Sequence, residues 1–227
     1  MKYIKKFIFS NNFLYKLTIY LKRLKTRYNC KGVIFENYGY ARIDKDIIGK
    51  NNLIKIGENT IIHKSNIRIR GDNNKLIIDE DCHIGESCSF WMEGNDINIH
   101  IGKGTTMTYG VHLCAQENNS KIIIGEDCML SNTISIRTSD SHPIYSLYSN
   151  IVQKDTKRLN NADNVILKNH VWIAPNVKIM KGVRIEEGSI IGTDTIVTKN
   201  IPAHALAVGH PAKIVKSEIK WTRERLF

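Results

Sequence analysis

LKNHVW, IAPNVK, IMKGVR, IEEGSI, IGTDTI and VTKNIP follow one another without a break from Leu167 to Pro202. Their first positions, Leu167, Ile173, Ile179, Ile185, Ile191 and Val197, are all aliphatic. Their fifth positions, Val171, Val177, Val183, Ser189, Thr195 and Ile201, are small or β-branched. An amphipathic helix would space its apolar residues by threes and fours, and an ordinary strand by twos. A period of six fits neither and reads as the flat face of a parallel β-helix, each coil stacking on the last.

Upstream the same signal appears in longer form. Ile78-Asp79, Ile101-Gly102 and Ile124-Gly125 are 23 residues apart, and Ile56-Gly57 lies 22 before the first of them. Such a coil is about five residues longer than three hexads. The extra residues are GDNNK at 71–75, EGNDI at 93–97 and ENNSK at 117–121. Asn, Asp and Gly there suit the tight, left-handed conformations of a corner. One solenoid of roughly seven coils is expected from Ile54 to Pro202. It is interrupted once, between Ile136 and Leu167, where residues 137–166 lose the rhythm and hold His142. A long loop leaving a rigid scaffold is where binding and catalytic groups concentrate.

SDSHP at 139–143, NHVWIAPNVKI at 169–179 and IIGTDTIVTKNIP at 190–202, followed by VGHPAKIV, occur in that order. The ordered set resembles the hexapeptide-repeat acyltransferases, in particular the galactoside, maltose, xenobiotic and capsular polysaccharide O-acetyltransferases. The resemblance implies an all-β, left-handed parallel β-helix; the handedness comes from it, since parallel crossovers are otherwise right-handed. It also implies acetyl-CoA as acetyl donor and a carbohydrate acceptor. The assembly it implies is a homotrimer whose active sites lie between two solenoids. The expected organisation is a basic amphipathic helical segment over 1–40, the acyltransferase solenoid over 41–205 with its loop at 137–166, and a tail over 206–227 ending in a short helix.

Transfer from a thioester to a hydroxyl needs a base for the alcohol proton, a donor for the developing oxyanion, and two positioned substrates. Histidine suits the base because it is largely neutral at pH 7. By the resemblance His142 is that base, with Asp140 either orienting its imidazole or only shaping the turn. His112 either lines the acceptor cleft or is an ordinary corner histidine. Tyr145, in the loop with Tyr148, Lys154, Lys157 and Arg158, is placed to contact the acceptor, and such a group would suit an acidic sugar. Trp172, at an outward sixth position, is expected along the pantetheine arm or against a neighbouring subunit. By the same resemblance Ala174 and Thr193 are expected to border the cofactor and Thr198 and Lys199 to lie near its adenine and 3′-phosphate, and Lys213 is either a phosphate contact or solvated surface. A small-molecule acceptor, and a non-catalytic glycan- or membrane-binding solenoid, are the alternatives.

The chain has 227 residues, 33 Lys and Arg against 22 Asp and Glu, and a formal charge of +11. Residues 1–31 carry nine basic residues and no acid, interleaved with Phe7, Phe9, Phe13, Leu14, Leu17 and Leu21. That segment either caps the first coil or attaches peripherally to an anionic membrane or glycan. No nucleic-acid module accompanies the charge, so no nucleic-acid partner is expected. Its apolar stretch is too short and too charged to span a bilayer or act as a signal peptide. A cytoplasmic protein, peripheral at most to the inner face of the membrane, is expected. Five cysteines without a CxxC pair fit a reducing compartment, and Cys82, Cys88 and Cys128 fall at inward fifth positions. The eight histidines hold no closely spaced pair of the sort a three-histidine zinc site uses, and no metal is expected.

Overall fold

The computed structural model describes residue 17 and residues 32–147 and 157–226. The expected N-terminal helix and Cys30 lie outside the described residues. The described chain winds as a three-faced parallel β-helix. Seven strands stack on the first face: Val33–Asn37, Asn52–Ile56, Lys75–Ile78, Asn98–Ile101, Lys121–Ile124, Val165–Leu167 and Arg184–Ile185. The long strand Ile61–Arg70 turns a corner, pairing at Ile61 and Ile62 with His83–Glu86 and at residues 66–70 with Ser89–Glu93. It thereby joins the second and third faces. The second continues through Thr106–Tyr109, Met129–Asn132, Trp172–Ile173 and Ile190–Ile191 to Leu206–Val208. The third continues through His112–Gln116, Ser135–Arg137 and Lys178–Ile179 to Ile196–Val197.

The aliphatic positions of the hexads form the core. Ile56, Ile78, Ile101, Ile124, Leu167 and Ile185 lie in register one above another, and Ile185 bridges to Ile201. All are buried, and each such side chain contributes about 1.5–3 kcal/mol. The fifth positions form a second column that also ties coils together. Thr60 Oγ1 donates to the Asp79 carbonyl at 2.6 Å and accepts the Cys82 amide at 3.0 Å. Thr105 repeats this with the Gly125 carbonyl at 2.9 Å and the Cys128 amide at 3.1 Å. Cys82, Cys88 and Cys128 are buried, as their hexad position requires.

Corners are made by the fourth hexad position. His170, Asn176, Gly182, Gly188 and Asp194 all have positive φ, between 54° and 75°, the left-handed region that Gly, Asn and Asp enter most readily. At the longer corner, Asn74 Oδ1 accepts the Ile97 amide and its Nδ2 donates to the Gly94 carbonyl, both at 2.9 Å. The glycine of each Ile-Gly pair has another cause. A Cβ on Gly102 would lie 2.6 Å from the Gly125 carbonyl carbon, and one on Gly57 would lie 2.3 Å from the Glu80 amide nitrogen. The next coil passes too close for any side chain.

Strand Val165–Leu167 pairs directly on Lys121–Ile124, so the interrupting loop is extruded and the stack continues beneath it. Two expectations are corrected. Among the described residues the solenoid already includes Val33–Asn37, inside the segment expected to be helical over 1–40, because that strand pairs residue for residue with Asn52–Ile56. The tail forms no helix among its described residues. Lys213–Lys216 is a strand antiparallel to Leu206–Val208, and the described residues beyond it are irregular, held by contacts to the solenoid. The Ile219 amide reaches the His204 carbonyl, Trp221 is buried, and Arg223 reaches Asp127. Among the described residues no helix is long and apolar enough to cross a membrane.

Candidate active site

The loop leaves the third face after Arg137, and its stem is fixed by polar contacts. Thr138 Oγ1 donates to the Gln116 carbonyl at 3.1 Å and accepts the Gln116 amide at 2.9 Å. Ser139 Oγ donates to Glu117 at 2.6 Å and accepts the Ser141 amide at 3.0 Å. From the returning limb, Arg158 donates to both Glu117 oxygens at 2.8 and 2.6 Å. The Asp163 amide closes the stem on the Thr138 carbonyl at 2.9 Å. Partial burial works against ionisation of Glu117, but the Ser139 and Arg158 hydrogen bonds outweigh it and hold the carboxyl below its ordinary range.

His142 projects from this stem with an exposed side chain. Its backbone is held, because Asn160 Nδ2 donates to the His142 carbonyl at 2.9 Å and to Asp140 Oδ2 at the same distance. Asp140 takes a second donor from Lys181 Nζ at 2.6 Å, and these two bonds keep its carboxyl ionised below the usual carboxylate range. Among the described residues no hydrogen bond joins Asp140 to the His142 ring. Of the two roles open to Asp140, the geometry fits the shaping of the turn.

His112 lies on the adjoining strand, in register with Ser89 and Ser135. Its Nδ1 is hydrogen-bonded to Ser89 Oγ, and its ring sits 6.2 Å from that of Trp91. Burial, with Arg137 nearby, pushes its pKa down, which favours the neutral imidazole. It stands on the face from which the loop springs, not at a corner. Tyr145 is half-buried in the loop.

The residues expected along the cofactor lie elsewhere in this chain. Trp172 is on the second face and is not freely exposed, because the tail covers it. Its ring is 5.8 Å from that of Trp221, which in turn stacks on His170 at 3.9 Å. Ala174 is buried at the corner between the second and third faces, and Thr193 is exposed at the same corner. Thr198 and Lys199 are exposed just past strand Ile196–Val197, and Lys213 is exposed on the strand opposite Val208. The chain thus gathers His142, Asp140 and His112 beside the third face, and carries Trp172 on the second.

Several participants escaped the sequence reading. Arg137 ends the last strand before the loop, Asn160 pins the loop from its far limb, and Trp221 covers Trp172. Only Trp221, the one tryptophan of a tail rich in charge, left a visible trace.

The fold and the loop together define a hexapeptide-repeat acyltransferase. Residues 164–199 match the bacterial transferase hexapeptide (six repeats) family. The chain is 40% identical over 180 residues to a polysialic acid O-acetyltransferase of Neisseria meningitidis, covering 78% of this chain and 79% of that one. It superposes on the crystal structure of a polysialic acid O-acetyltransferase with a TM-score of 0.74 and 36% identity, over 86% of this chain and 90% of that one. A polysialic-acid-specific acetyltransferase follows at TM-score 0.55 and 30% identity, over 85% and 90%. The chain belongs to the hexapeptide-repeat O-acetyltransferases, and its solenoid is their left-handed parallel β-helix.

Proposed function

We propose that this enzyme moves the acetyl group of acetyl-CoA to a hydroxyl of an acidic bacterial capsular polysaccharide, of the polysialic acid kind, with His142 as general base. The observation that carries the assignment is the loop stem. Asn160 fixes the backbone at His142 while the imidazole itself stays exposed, which is how a base that must meet an incoming hydroxyl is held. The imidazole takes the hydroxyl proton as that oxygen attacks the thioester carbonyl. The carbon–sulfur bond breaks as the intermediate collapses, and the imidazolium returns the proton to the departing thiolate. Direct transfer is supported by the loop hydroxyls. Ser139 Oγ donates to Glu117, a carboxylate already paired with Arg158, at 2.6 Å and Ser141 Oγ donates to Gln116 at 2.8 Å, so neither is hydrogen-bonded to a histidine as an activated serine nucleophile would be.

Trp172 and His142 sit on different faces of one solenoid, which supports a trimer whose sites combine the third face of one copy with the second face of its neighbour. Ala174, Thr193, Thr198, Lys199 and Lys213 would border acetyl-CoA there. The nine positive charges within residues 1–31 would hold the enzyme near an anionic glycan or the inner membrane face, where a cytoplasmic acetyl donor is at hand.

Thiol release and acceptor mass, followed with purified protein, acetyl-CoA and capsular oligosaccharides, test the reading. His142→Ala is expected to lower turnover by about 10²-fold or more, and turnover near that of the parent would overturn the assignment.

A further inference from the structure

Several arginines of the solenoid are paired with carboxylates, and Arg137 is not. Arg158 pairs with Glu117 at 2.6 Å and Arg70 with Asp46 at 2.5 Å. Arg137 is partly buried on the last strand before the loop, and among the described residues no carboxylate lies within salt-bridge distance of it. Its acceptors are both neutral, Gln116 Oε1 at 3.2 Å and Ser141 Oγ at 2.9 Å, and both are reached from the same terminal nitrogen, Nη2.

Asp140, whose charge Arg137 feels without a salt bridge, is bonded instead to Lys181 and Asn160, and Glu93 is screened from Arg137 by the strand pairing. Glu93 and Gln116 occupy paired positions on neighbouring strands, and Gln116 Nε2 donates to Glu93 at 2.9 Å. That bond turns Gln116 Oε1 toward Arg137 and Ser141, which donates to it at 2.8 Å. A neutral amide therefore stands between the carboxylate and the guanidinium. A partly buried cation without a paired carboxylate is costly, and the Nε and Nη1 donors of the guanidinium, which Gln116 and Ser141 do not engage, are available to a carboxylate. Ser141, which Arg137 touches, is the residue next to His142.

We propose that Arg137 is a specificity-determining residue that binds the carboxylate of the acidic sugar unit whose hydroxyl is presented to His142. This rests on the reading of the enzyme as an O-acetyltransferase of acidic polysaccharides. It adds the group that distinguishes an acidic acceptor from a neutral one.

The test compares an acidic oligosaccharide with its carboxyl-reduced, neutral counterpart, both at saturating acetyl-CoA, for the parent and for Arg137→Gln and Arg137→Lys. Arg137→Gln is expected to lose about 30- to 100-fold in kcat/KM on the acidic oligomer, the scale of a lost charge-assisted pair. On the neutral oligomer it should stay within about threefold of the parent, with the acetyl-CoA KM unmoved. Arg137→Lys keeps the charge without the fork and should lose about tenfold on the acidic oligomer alone. It decides the matter if the Gln variant fails to fold. Equal losses on both acceptors would mean that Arg137 only braces the loop, and would overturn the proposal. Binding of the acidic oligosaccharide without acetyl-CoA gives a second readout. Equal affinity of parent and Arg137→Gln overturns the proposal whether or not transfer is seen, whereas absence of transfer to every acceptor alongside weakened binding in the variant overturns only the catalytic reading.

Discussion

Replacing Trp221 with alanine should release the tail from the solenoid without unfolding it. Trp221 is 8% exposed, its ring stacks on His170 at 3.9 Å and 5°, and its Nε1 donates to the His170 carbonyl at 3.1 Å. Truncating a buried aromatic to alanine costs about 3–5 kcal/mol. At about 1.4 kcal/mol per tenfold, the tail's opening equilibrium rises by roughly 10²- to 4 × 10³-fold. The loss stays local, because solenoid stability resides in contacts between neighbouring coils. Arg223 remains as an anchor, bonded to Asp127 at 2.5 Å and to the Cys128 and Gly104 carbonyls at 2.8 and 3.1 Å.

Amide hydrogen exchange measures this directly. The Ile219 amide, bonded to the His204 carbonyl at 2.9 Å, should lose protection in Trp221→Ala while the Ile101 and Ile124 amides keep theirs. Trp221→Phe preserves an aromatic stack but not the indole donor, and should lose only the equivalent of one hydrogen bond, about 1 kcal/mol. Because Trp221 covers Trp172, the acetyl-CoA KM should rise in the alanine variant and much less in the phenylalanine one. Unchanged protection at Ile219 in Trp221→Ala would refute the reasoning, since the indole would then contribute nothing to holding the tail.

Burial raises the Cys82 and Cys128 thiols to about 11, so at pH 8 they should resist alkylation in the folded protein and react at once in denaturant; rapid labelling of either in the native state would show that the column opens. Gly102→Ala should cost about 1–3 kcal/mol in a urea titration by forcing the Gly125 coil away, since the added carbon would sit 2.6 Å from a backbone atom. A neutral result would mean that the coils slide freely past one another.

Much of the scaffold was legible because a stacked coil demands the same side chain at the same place every turn. Ile78, Ile101 and Ile124 announce their register through spacing alone, and the pairing honours it residue for residue. The turns were equally written, as His170, Asn176, Gly182, Gly188 and Asp194 at the fourth hexad position. The first coil was not legible. VIFEN at 33–37 belongs to no hexad, and with one neighbouring strand among the described residues, Asn52–Ile56, it is under less pressure to repeat. Ser217–Phe227 composes well as a helix, but helix propensity is a weak prior that tertiary contacts override, and here Trp221 and Arg223 are drawn to opposite ends of one extended contact with His170 and Asp127. The proposal for His142 comes from its motif. That for Arg137 could not, because its meaning depends on Gln116 standing between it and Glu93, a relation that exists only after the coils stack.

The buried polar groups separate what the scaffold needs from what the site needs. Burying a polar group is costly unless it is hydrogen-bonded. Most of those in this solenoid recur at equivalent places, Asn52 with Asn74 at one corner and Thr60 with Thr105 at another, and bond the coil beside them. They are part of the repeat and explain how the coils hold register. Gln116, Thr138 and Ser139 are buried as well, yet they fall where the repeat stops. Apolar residues at those places would leave less to satisfy. What the polar set supplies instead is direction, since each of its hydrogen bonds fixes an angle that packing alone would leave soft. Through Glu117 and Arg158 on one side, and Asp140, Asn160 and Lys181 on the other, that direction is passed to the segment bearing His142. A loop that only closed a gap would not require it, whereas a base that must meet a sugar hydroxyl within hydrogen-bond reach would.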